Sequence, residues 1–277
     1  MSVLVLGAGG LLGRALVRHP GTVGLTHAQL DITDAEAVAA ALAAVRPSAV
    51  INAAALAAVD RATQEPALAW GVNAEAPGSL AALCLEQNIR LVHISTDYVL
   101  DGPDAPGARL LETDRPSPQS VYARSKRGGE LAALAHDAVV VRIQWAYALT
   151  GQSFLARALV RLRAGEPLSL VTDQLGCPTP ANWLVSPLMD CAAGGPTGLF
   201  HLATGGEASA HQWVMTAAEA LGVPTGSVTR CTRSDLGGAY RPARSCLDST
   251  RFLTHWPRPH LGWDQALLAE VAKLTAG

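Results

Sequence analysis

The chain has 277 residues, 49% hydrophobic and 16% charged, with 21 Lys and Arg against 23 Asp and Glu for a formal net charge of −2. That composition supports a sizeable core and excludes a disordered chain, and the near-neutral balance, with no basic run, argues against a nucleic-acid partner. No stretch reaches the roughly 18 apolar residues of a membrane span, and five scattered cysteines (84, 177, 191, 231, 246) without a CxxC pair or zinc spacing read as free thiols, so a cytoplasmic chain with no membrane partner and no metal is expected.

The first element is an apolar run at 2–6 ending in Gly7-Ala8-Gly9-Gly10-Leu11-Leu12-Gly13. Such a run suits a strand buried on both faces. A helical pattern follows over 11–19, with Leu11, Leu12, Ala15 and Leu16 on one side. Strand, glycine turn and helix together make a pyrophosphate-binding unit: Gly7 for the turn, Gly10 for close approach of the phosphates, Gly13 for helix packing. The helix N-terminus adds free N–H groups. The next strand, at 22–26, ends in Thr26-His27 with no acid to bind a ribose 2′-hydroxyl. NADP is therefore slightly favoured over NAD, and Arg14 reads equally as a nearby cation for a 2′-phosphate or as a solvated helix residue.

Further strands are predicted at 48–52, 91–95 and 138–143, and helices at 34–45, 66–87 and 120–136. Asp34 supplies an N-cap and Pro66 suits a first turn. Alternating β and α predicts a Rossmann-type, doubly wound parallel sheet, with active residues at the carboxyl ends of strands. Asn52, Ser95, Thr96 and Trp145 fall at such ends. The alanines at 53, 54 and 55 suit either a floor for a cofactor or close helix packing. Asn73 is a polar residue in an apolar helix, able to bridge toward the site or to serve as a buried capping amide.

Tyr122 and Lys126 lie four apart on a predicted helix and share a face. The ammonium is expected to lower the pKa of the phenol, making Tyr122 a proton donor to an alkoxide. Lys126 can also hold ribose hydroxyls, and Thr96 can bond the carbonyl oxygen. Alone, the Tyr-xxx-Lys spacing suits an ordinary helix. The glycine loop and Thr96 upstream are what favour chemistry.

After residue 145 the pattern loosens, with helices at 153–164, 182–193, 210–221 and 264–275 and strands at 168–172 and 198–202. This predicts a dinucleotide-binding domain over 1–145. Residues 146–277 would be mainly a smaller C-terminal α/β substrate lobe, with some segments returning to the main sheet.

The chain resembles the extended short-chain dehydrogenase/reductases, and within them the dTDP-4-dehydrorhamnose reductase family. The residues that carry this resemblance run the length of the chain: Leu30 to Asp34, Ile51 to Ala55, Val59 to Ala62, Val72 to Ala74, Ile94 to Val99 and Tyr122 to Lys126. Val171 to Gln174 and Arg241-Pro242 with Ser245, Leu247 and Asp248 complete it. The resemblance implies NADPH or NADH as cofactor and reduction of the C4 ketone of a nucleotide-linked 6-deoxy-4-ketohexose. Tyr122 would be the acid, Lys126 its support and Thr96 the carbonyl ligand. Positions at the cofactor would be Gly7, Gly10, Leu11, Leu12, Asp31 and Ile32, then Ala53, Ala54, Ala55 and Asn73. Asp97, Tyr98 and Trp145 would line the sugar pocket, and Arg241 would meet the nucleotide diphosphate. A homodimer is left open.

Several positions depart from the family pattern: Leu56 for Tyr, Ala123 for Gly, Gln144 for a small hydroxyl residue, Arg244 for Asn, Leu100 for Phe and Thr63 for an acid. Residues 234–240 lack the expected prolines. The chemical residues survive while the pocket changes, which implies a different sugar. The alternatives are an epimerase or reductase for another substrate of the superfamily, or a non-catalytic NADP-binding regulatory subunit.

Overall fold

Every side chain of β1 (Val3–Leu6) is buried, because helices cover both faces of the sheet it belongs to. The computed structural model describes residues 2–102 and 107–276. In it, β1 lies between β2 (Thr22–Leu25) and β3 (Ala49–Asn52), followed outward by β4 (Arg90–Thr96) and β5 (Val139–Ile143). All of these pairings are parallel. The order 2-1-3-4-5 reverses direction between β1 and β3, and that is where a doubly wound sheet opens its ligand crevice.

The alternation of side chains sorts the core into two layers. Val3, Val5 and Ile51 pack with Leu12 and Leu16 of α1 (Leu11–Leu16) and with Phe252 and Trp256 near the carboxyl end. Leu4, Leu6 and Val50 face the other way, onto Val38 and Leu42 of α2 (Ala35–Val45). Helix α1 is shorter than its sequence pattern predicts, ending at Leu16 before the turn that leads into β2.

The segment predicted as one helix over 66–87 is broken into parts. A short α3 (Val59–Gln64) precedes α4 (Pro66–Trp70), a wide π turn spans Gly71–Glu75, and α5 (Ala76–Glu86) completes it. Pro77 has no N–H to give the carbonyl four residues back, that of Asn73, and the wider turn relieves the conflict. The freed Asn73 carbonyl faces Gly129 of α6 (Val121–Leu134), where a Cβ would stand 2.1 Å from that oxygen. Only glycine allows this helix-on-helix approach.

Beyond β5 come β6 (Ala146–Tyr147), α7 (Phe154–Arg163), β7 (Leu168–Val171), β8 (Leu175–Gly176) and β9 (Thr179–Pro180). The helix α8 (Ala181–Ala193) puts Leu184 and Leu188 into the main core, and β10 (Gly198–Leu202) pairs in parallel with β5 as the sixth strand. The run 198–202 therefore belongs to the main sheet, although its sequence neighbours build the second core. That core joins α7, β7 and α9 (Ala210–Ala220) around Trp213. It also contains β12 (Val228–Cys231), which pairs with β7, while β11 (Ala208–Ser209) pairs with β8.

Behind the carboxyl ends of β4 and β5 lies a buried ionic network. Arg142 gives Glu130 two hydrogen bonds, Nε to Oε1 at 2.7 Å and Nη2 to Oε2 at 2.8 Å, with both side chains fully buried. Ser95 donates to Glu130 at 2.7 Å, and Arg127 at 2.7 Å. Arg142 Nη1 also lies 3.2 Å from His201 Nε2, so that nitrogen accepts and Nδ1 donates to the Leu110 carbonyl at 3.0 Å. His201 is thus held neutral. Burial, then the charge of Arg142, lowers its pKa to about 4.

Acid titration should expose these buried rings. Burial, and next the charge of Lys126, holds His93 well below the usual imidazole value. Below about pH 6.5 the unfolded chain protonates His93 and His201 while the fold does not, so stability falls with pH. Asp97, pushed up to about 7 mainly by burial, acts oppositely, since the fold holds its proton where the unfolded chain does not. The opposing effects nearly cancel at about pH 6.5, and the net loss grows on acidification toward about 1.4 kcal/mol per pH unit at roughly pH 5, where both unfolded-state rings are charged and two protons stand against one. Urea midpoints at two pH values in that range check this; a flat or rising midpoint on acidification would show that a ring is charged in the fold.

Candidate active site

Gly7 sits at φ +76°, a conformation that favours glycine, and a Cβ there would lie 2.6 Å from the Ala54 nitrogen. The turn therefore packs directly on the small residues that end β3. A Cβ at Gly13 would fall 2.1 Å from the Gly7 carbonyl, so Gly13 holds helix and turn together. Gly10 caps α1 with no side-chain acceptor, and no acid lies in the first turn.

Two hollows open over this loop. One, of about 350 Å³, is lined by Gly7, Gly10, Asp31, Ile32, Ala53, Ala54 and Ala55, with His27, Leu56 and Arg61 on its wall. The other, of about 360 Å³, is lined by Gly10, Leu11, Leu12, Ala53 and Ala55 on one side. Its far side carries Thr96, Asp97, Tyr98, Tyr122, Lys126 and Trp145. Shared residues make the two a single cleft, running from a bare glycine loop to a set of proton-bearing groups.

Asp31 accepts from the Thr33 N–H at 2.9 Å and its hydroxyl at 2.8 Å, bonds that lower its carboxyl pKa. Arg14, the candidate cation for a 2′-phosphate, lies elsewhere. It lines a separate hollow with Arg18 and Lys273, because its place on α1 turns it away from the end of β2. The cation on the cleft wall is Arg61, whose Nε donates to Glu65 at 2.8 Å. Sequence reading singled out its motif but gave it no role.

Asn73 does not line either hollow. Its Oδ1 accepts from the Leu56 N–H at 2.9 Å, and its Nδ2 donates to the Leu56 carbonyl at 3.2 Å and to Ser125 at 3.1 Å. It clamps the loop after β3 to α6, and its hydrogen bonds are spent on that clamp.

Ser120 caps α6 by accepting from the Ala123 N–H, which fixes Tyr122 and Lys126 over the end of β4. The Tyr122 phenol is raised above its ordinary pKa by burial, with Asp97 and Tyr98 adding and a hydrogen bond to Thr96 opposing. The expected lowering by Lys126 is not what the site contains, and the ammonium is engaged elsewhere. Lys126, 2% exposed, donates to the Ile94 carbonyl at 2.7 Å, and burial lowers its pKa to about 8. Tyr122 thus holds its proton firmly. Tyr98 stands edge-on to it, ring centres 5.8 Å apart.

Asp97 is 2% exposed and accepts from Ser245 Oγ at 2.5 Å, Gln144 Nε2 at 3.1 Å and Thr96 Oγ1 at 3.2 Å. Gln144 also donates to the Ser245 carbonyl and hydroxyl, both at 2.8 Å. The departure at 144 therefore replaces a short side chain by one long enough to tie the end of β5 to the 245–247 segment. Neither Gln144 nor Ser245 was picked out as a site residue, since only the fold brings them to Asp97. Trp145 adopts φ +40°, rare for a bulky residue. Its indole leaves no room for a Cβ at Gly176, which would sit 2.5 Å away.

Arg241 is outside the Tyr122 hollow. It lines an adjoining one of about 430 Å³ with Asp173, Gln174 and Arg233. Its Nη2 donates to Asp60 at 2.8 Å, and its charge reaches Tyr98. Burial pushes the Tyr98 phenol up and Gln174 opposes this through a hydrogen bond, so a residue of this second hollow reaches the ring that lines the first.

Residues 1–276 match the family described as the RmlD substrate binding domain. The chain is 36% identical over 280 residues to a dTDP-4-dehydrorhamnose reductase of Mycolicibacterium smegmatis, covering 98% of this chain and 85% of that protein. It is 35% identical over 285 residues to a dTDP-4-keto-6-deoxy-D-glucose reductase of Streptomyces niveus, covering 99% and 97%. Among solved structures it resembles the Bacillus anthracis dTDP-4-dehydrorhamnose reductase in complex with NADP, at 26% identity and a TM-score of 0.90, over 99% of this chain and all of that one.

Proposed function

Because this chain belongs to the RmlD substrate binding domain family, we propose that it is an NAD(P)H-dependent reductase of the C4 ketone of a nucleotide-linked 6-deoxy-4-ketohexose, with Tyr122 as proton donor. The observation that carries this reading is the continuous cleft from the glycine loop to Thr96, Tyr122 and Lys126. The loop fits a dinucleotide: its approach is free of side chains at Gly7 and Gly10, and its floor is alanine. A bound nicotinamide supplies the hydride. Thr96 and Tyr122 hydrogen-bond the substrate oxygen, and Tyr122 releases its proton there as negative charge develops. Lys126 keeps two N–H donors beyond the one given to Ile94, enough to hold ribose hydroxyls. Asp97, Tyr98 and Trp145 form the sugar walls, and Arg241 offers its charge to the nucleotide diphosphate. In this reading residues 1–145, joined by α8 and β10, bind the cofactor, and most of 146–277 binds the sugar nucleotide.

The first test follows NADPH and NADH oxidation by absorbance with dTDP-4-dehydrorhamnose. Rapid oxidation supports the reaction class. No oxidation with any nucleotide-linked 4-keto-sugar, despite cofactor binding, overturns it. Gln144, buried behind Asp97 and tied to it and to Ser245, differs from the family's short residue there and favours a related sugar over dTDP-4-dehydrorhamnose itself. A kcat/KM above about 10⁴ M⁻¹ s⁻¹ on that substrate would sink this narrower reading.

NADP preference rests on Arg61 and His27 at the adenosine end. Arg61→Ala should weaken NADPH binding about tenfold, as expected for a charge-assisted contact, while NADH binding changes little. Cofactor fluorescence titration measures both; equal loss for the two cofactors would remove Arg61 from 2′-phosphate recognition.

A further inference from the structure

Cys177 and Cys246 are distant in sequence but opposite in space. Leu175 and Arg244 form a parallel bridge, in which the Leu175 N–H donates to the Ala243 carbonyl at 2.8 Å and the Ser245 N–H donates to the Leu175 carbonyl at 3.3 Å. Two residues further along the same register, Cys177 faces Cys246. Directly paired backbone positions lie about 5 Å apart, inside the Cα range that a disulfide spans. The two thiols are close enough to shift each other's pKa, while Cys177 Sγ donates to the Gly206 carbonyl at 3.1 Å.

The surroundings of the pair are not those of inert core thiols. Arg109 Nη1 donates to Cys177 Sγ at 3.1 Å and to the Gly206 carbonyl at 2.9 Å. The neighbouring Cys246 and the charge of Arg109 hold the Cys177 thiol below its ordinary pKa, while Cys246 is pushed up. Cys84 and Cys191, buried without such help, are pushed up to about 12, chiefly by burial. A thiol of lowered pKa beside a guanidinium, with a neighbour whose pKa is raised, has the division of roles of a nucleophilic and a resolving cysteine. Both sulfurs are buried, yet each is one side chain from solvent. Arg109 covers Cys177, and Glu207, 3.6 Å from Cys246 Sγ, lines an open hollow of about 450 Å³.

We propose that Cys177 and Cys246 form a modification site for hydroperoxides, closing to a disulfide that reshapes the sugar pocket. The Cys177 thiolate attacks the peroxide, forming an S–O bond as the O–O bond breaks, and the released hydroxide is protonated to water or, from an organic peroxide, the alkoxide to an alcohol. The Cys246 sulfur then attacks the sulfenic acid. An S–S bond forms, the S–O bond breaks, and hydroxide leaves with the Cys246 proton as a second water. Two thiols are oxidised and one peroxide is reduced. The sulfurs must close to about 2.05 Å, drawing in the residues next to them. Ser245 holds Asp97 and Gln144, and Gly176 packs on Trp145. The effect on the pocket rests on the functional reading above; the disulfide does not.

The test treats the whole purified chain with a small excess of hydrogen peroxide, alkylates free thiols and maps the non-reduced digest by mass spectrometry. A Cys177–Cys246 cross-linked peptide is expected, with two of the five thiols lost and dithiothreitol restoring them. Cys246→Ser should leave Cys177 trapped as a sulfenic acid that dimedone labels, whereas Cys177→Ser should leave no dimedone adduct at Cys246. Oxidation confined to the more exposed Cys231, or a digest without the cross-link, overturns the proposal, and this readout on the unmutated chain is independent of any variant's folding. In a second arm, KM for the keto-sugar should shift severalfold on oxidation while cofactor affinity holds. Cross-linking with unchanged KM overturns the reshaping of the pocket. Cross-linking in a chain that reduces no keto-sugar leaves the modification site standing and removes the functional reading.

Discussion

Replacing Tyr122 by Phe should slow keto-sugar-dependent NADPH oxidation by about 10²- to 10⁴-fold, the usual contribution of a positioned general acid, while cofactor affinity stays within a few-fold. The substitution removes one oxygen from a half-buried ring that lines the cleft. Burial keeps the phenol protonated across the working range, so the unmodified residue carries a proton to give, and its variant has none. Lys126, with a pKa lowered to about 8 by burial, sets the upper limb of the pH profile. As pH rises through that value the ammonium loses its charge and one of the two N–H donors left for the cofactor ribose, so turnover should fall. Single-turnover absorbance together with cofactor titration checks both statements. Loss of cofactor binding in parallel with turnover would mean that Tyr122 serves binding, and unchanged turnover would remove it from chemistry.

Arg142→Ala should destabilise the protein by about 3–5 kcal/mol, the range for breaking a buried pair by removal of one partner. This corresponds to a fall in Tm on the order of 10 °C. Burial pushes the Glu130 carboxyl up, but Arg142, Ser95 and Arg127 more than reverse this and hold it ionised. Without Arg142 the carboxylate stays enclosed, with Arg127, 24% exposed, as its remaining charge partner. Glu130→Gln combined with Arg142→Met should cost much less than the sum of the single changes, because the double variant leaves no buried charge. Thermal melts of the three variants decide this. Additive losses would show that packing, not charge, holds this region. Glu130 sits one turn past Lys126 on α6, so the single variants should also lower activity before they unfold.

Much of this was legible in the sequence because the signals are local. The buried strands, the glycine turn and the Tyr122–Lys126 face are each set by residues within a few positions of one another. What escaped depends on distant contacts. The run 198–202 reads as a strand, but nothing within it says whether it joins β5 or the second core. Arg14 is the cation that local spacing offers, and only the direction of α1 shows that it points elsewhere and leaves Arg61 on the cleft wall. The phenol pKa of Tyr122 was expected to fall because spacing places an ammonium nearby. Spacing does not show that Lys126 points its proton at Ile94, or that burial outweighs every other influence on the phenol. Asn73 looked like a polar oddity until Pro77 and Gly129 explained the turn around it.

The sixth strand has a consequence for how the chain acquires its shape during synthesis. Until residues 198–202 have left the ribosome, β5 is the last strand of the sheet, with a bare hydrogen-bonding edge of nearly continuous valine. Unpaired apolar edges invite association with other chains. A fragment stopped at residue 145 would carry that edge permanently and should precipitate rather than serve as a portable cofactor-binding module. Extending it through β10 should be what makes the nascent sheet self-contained.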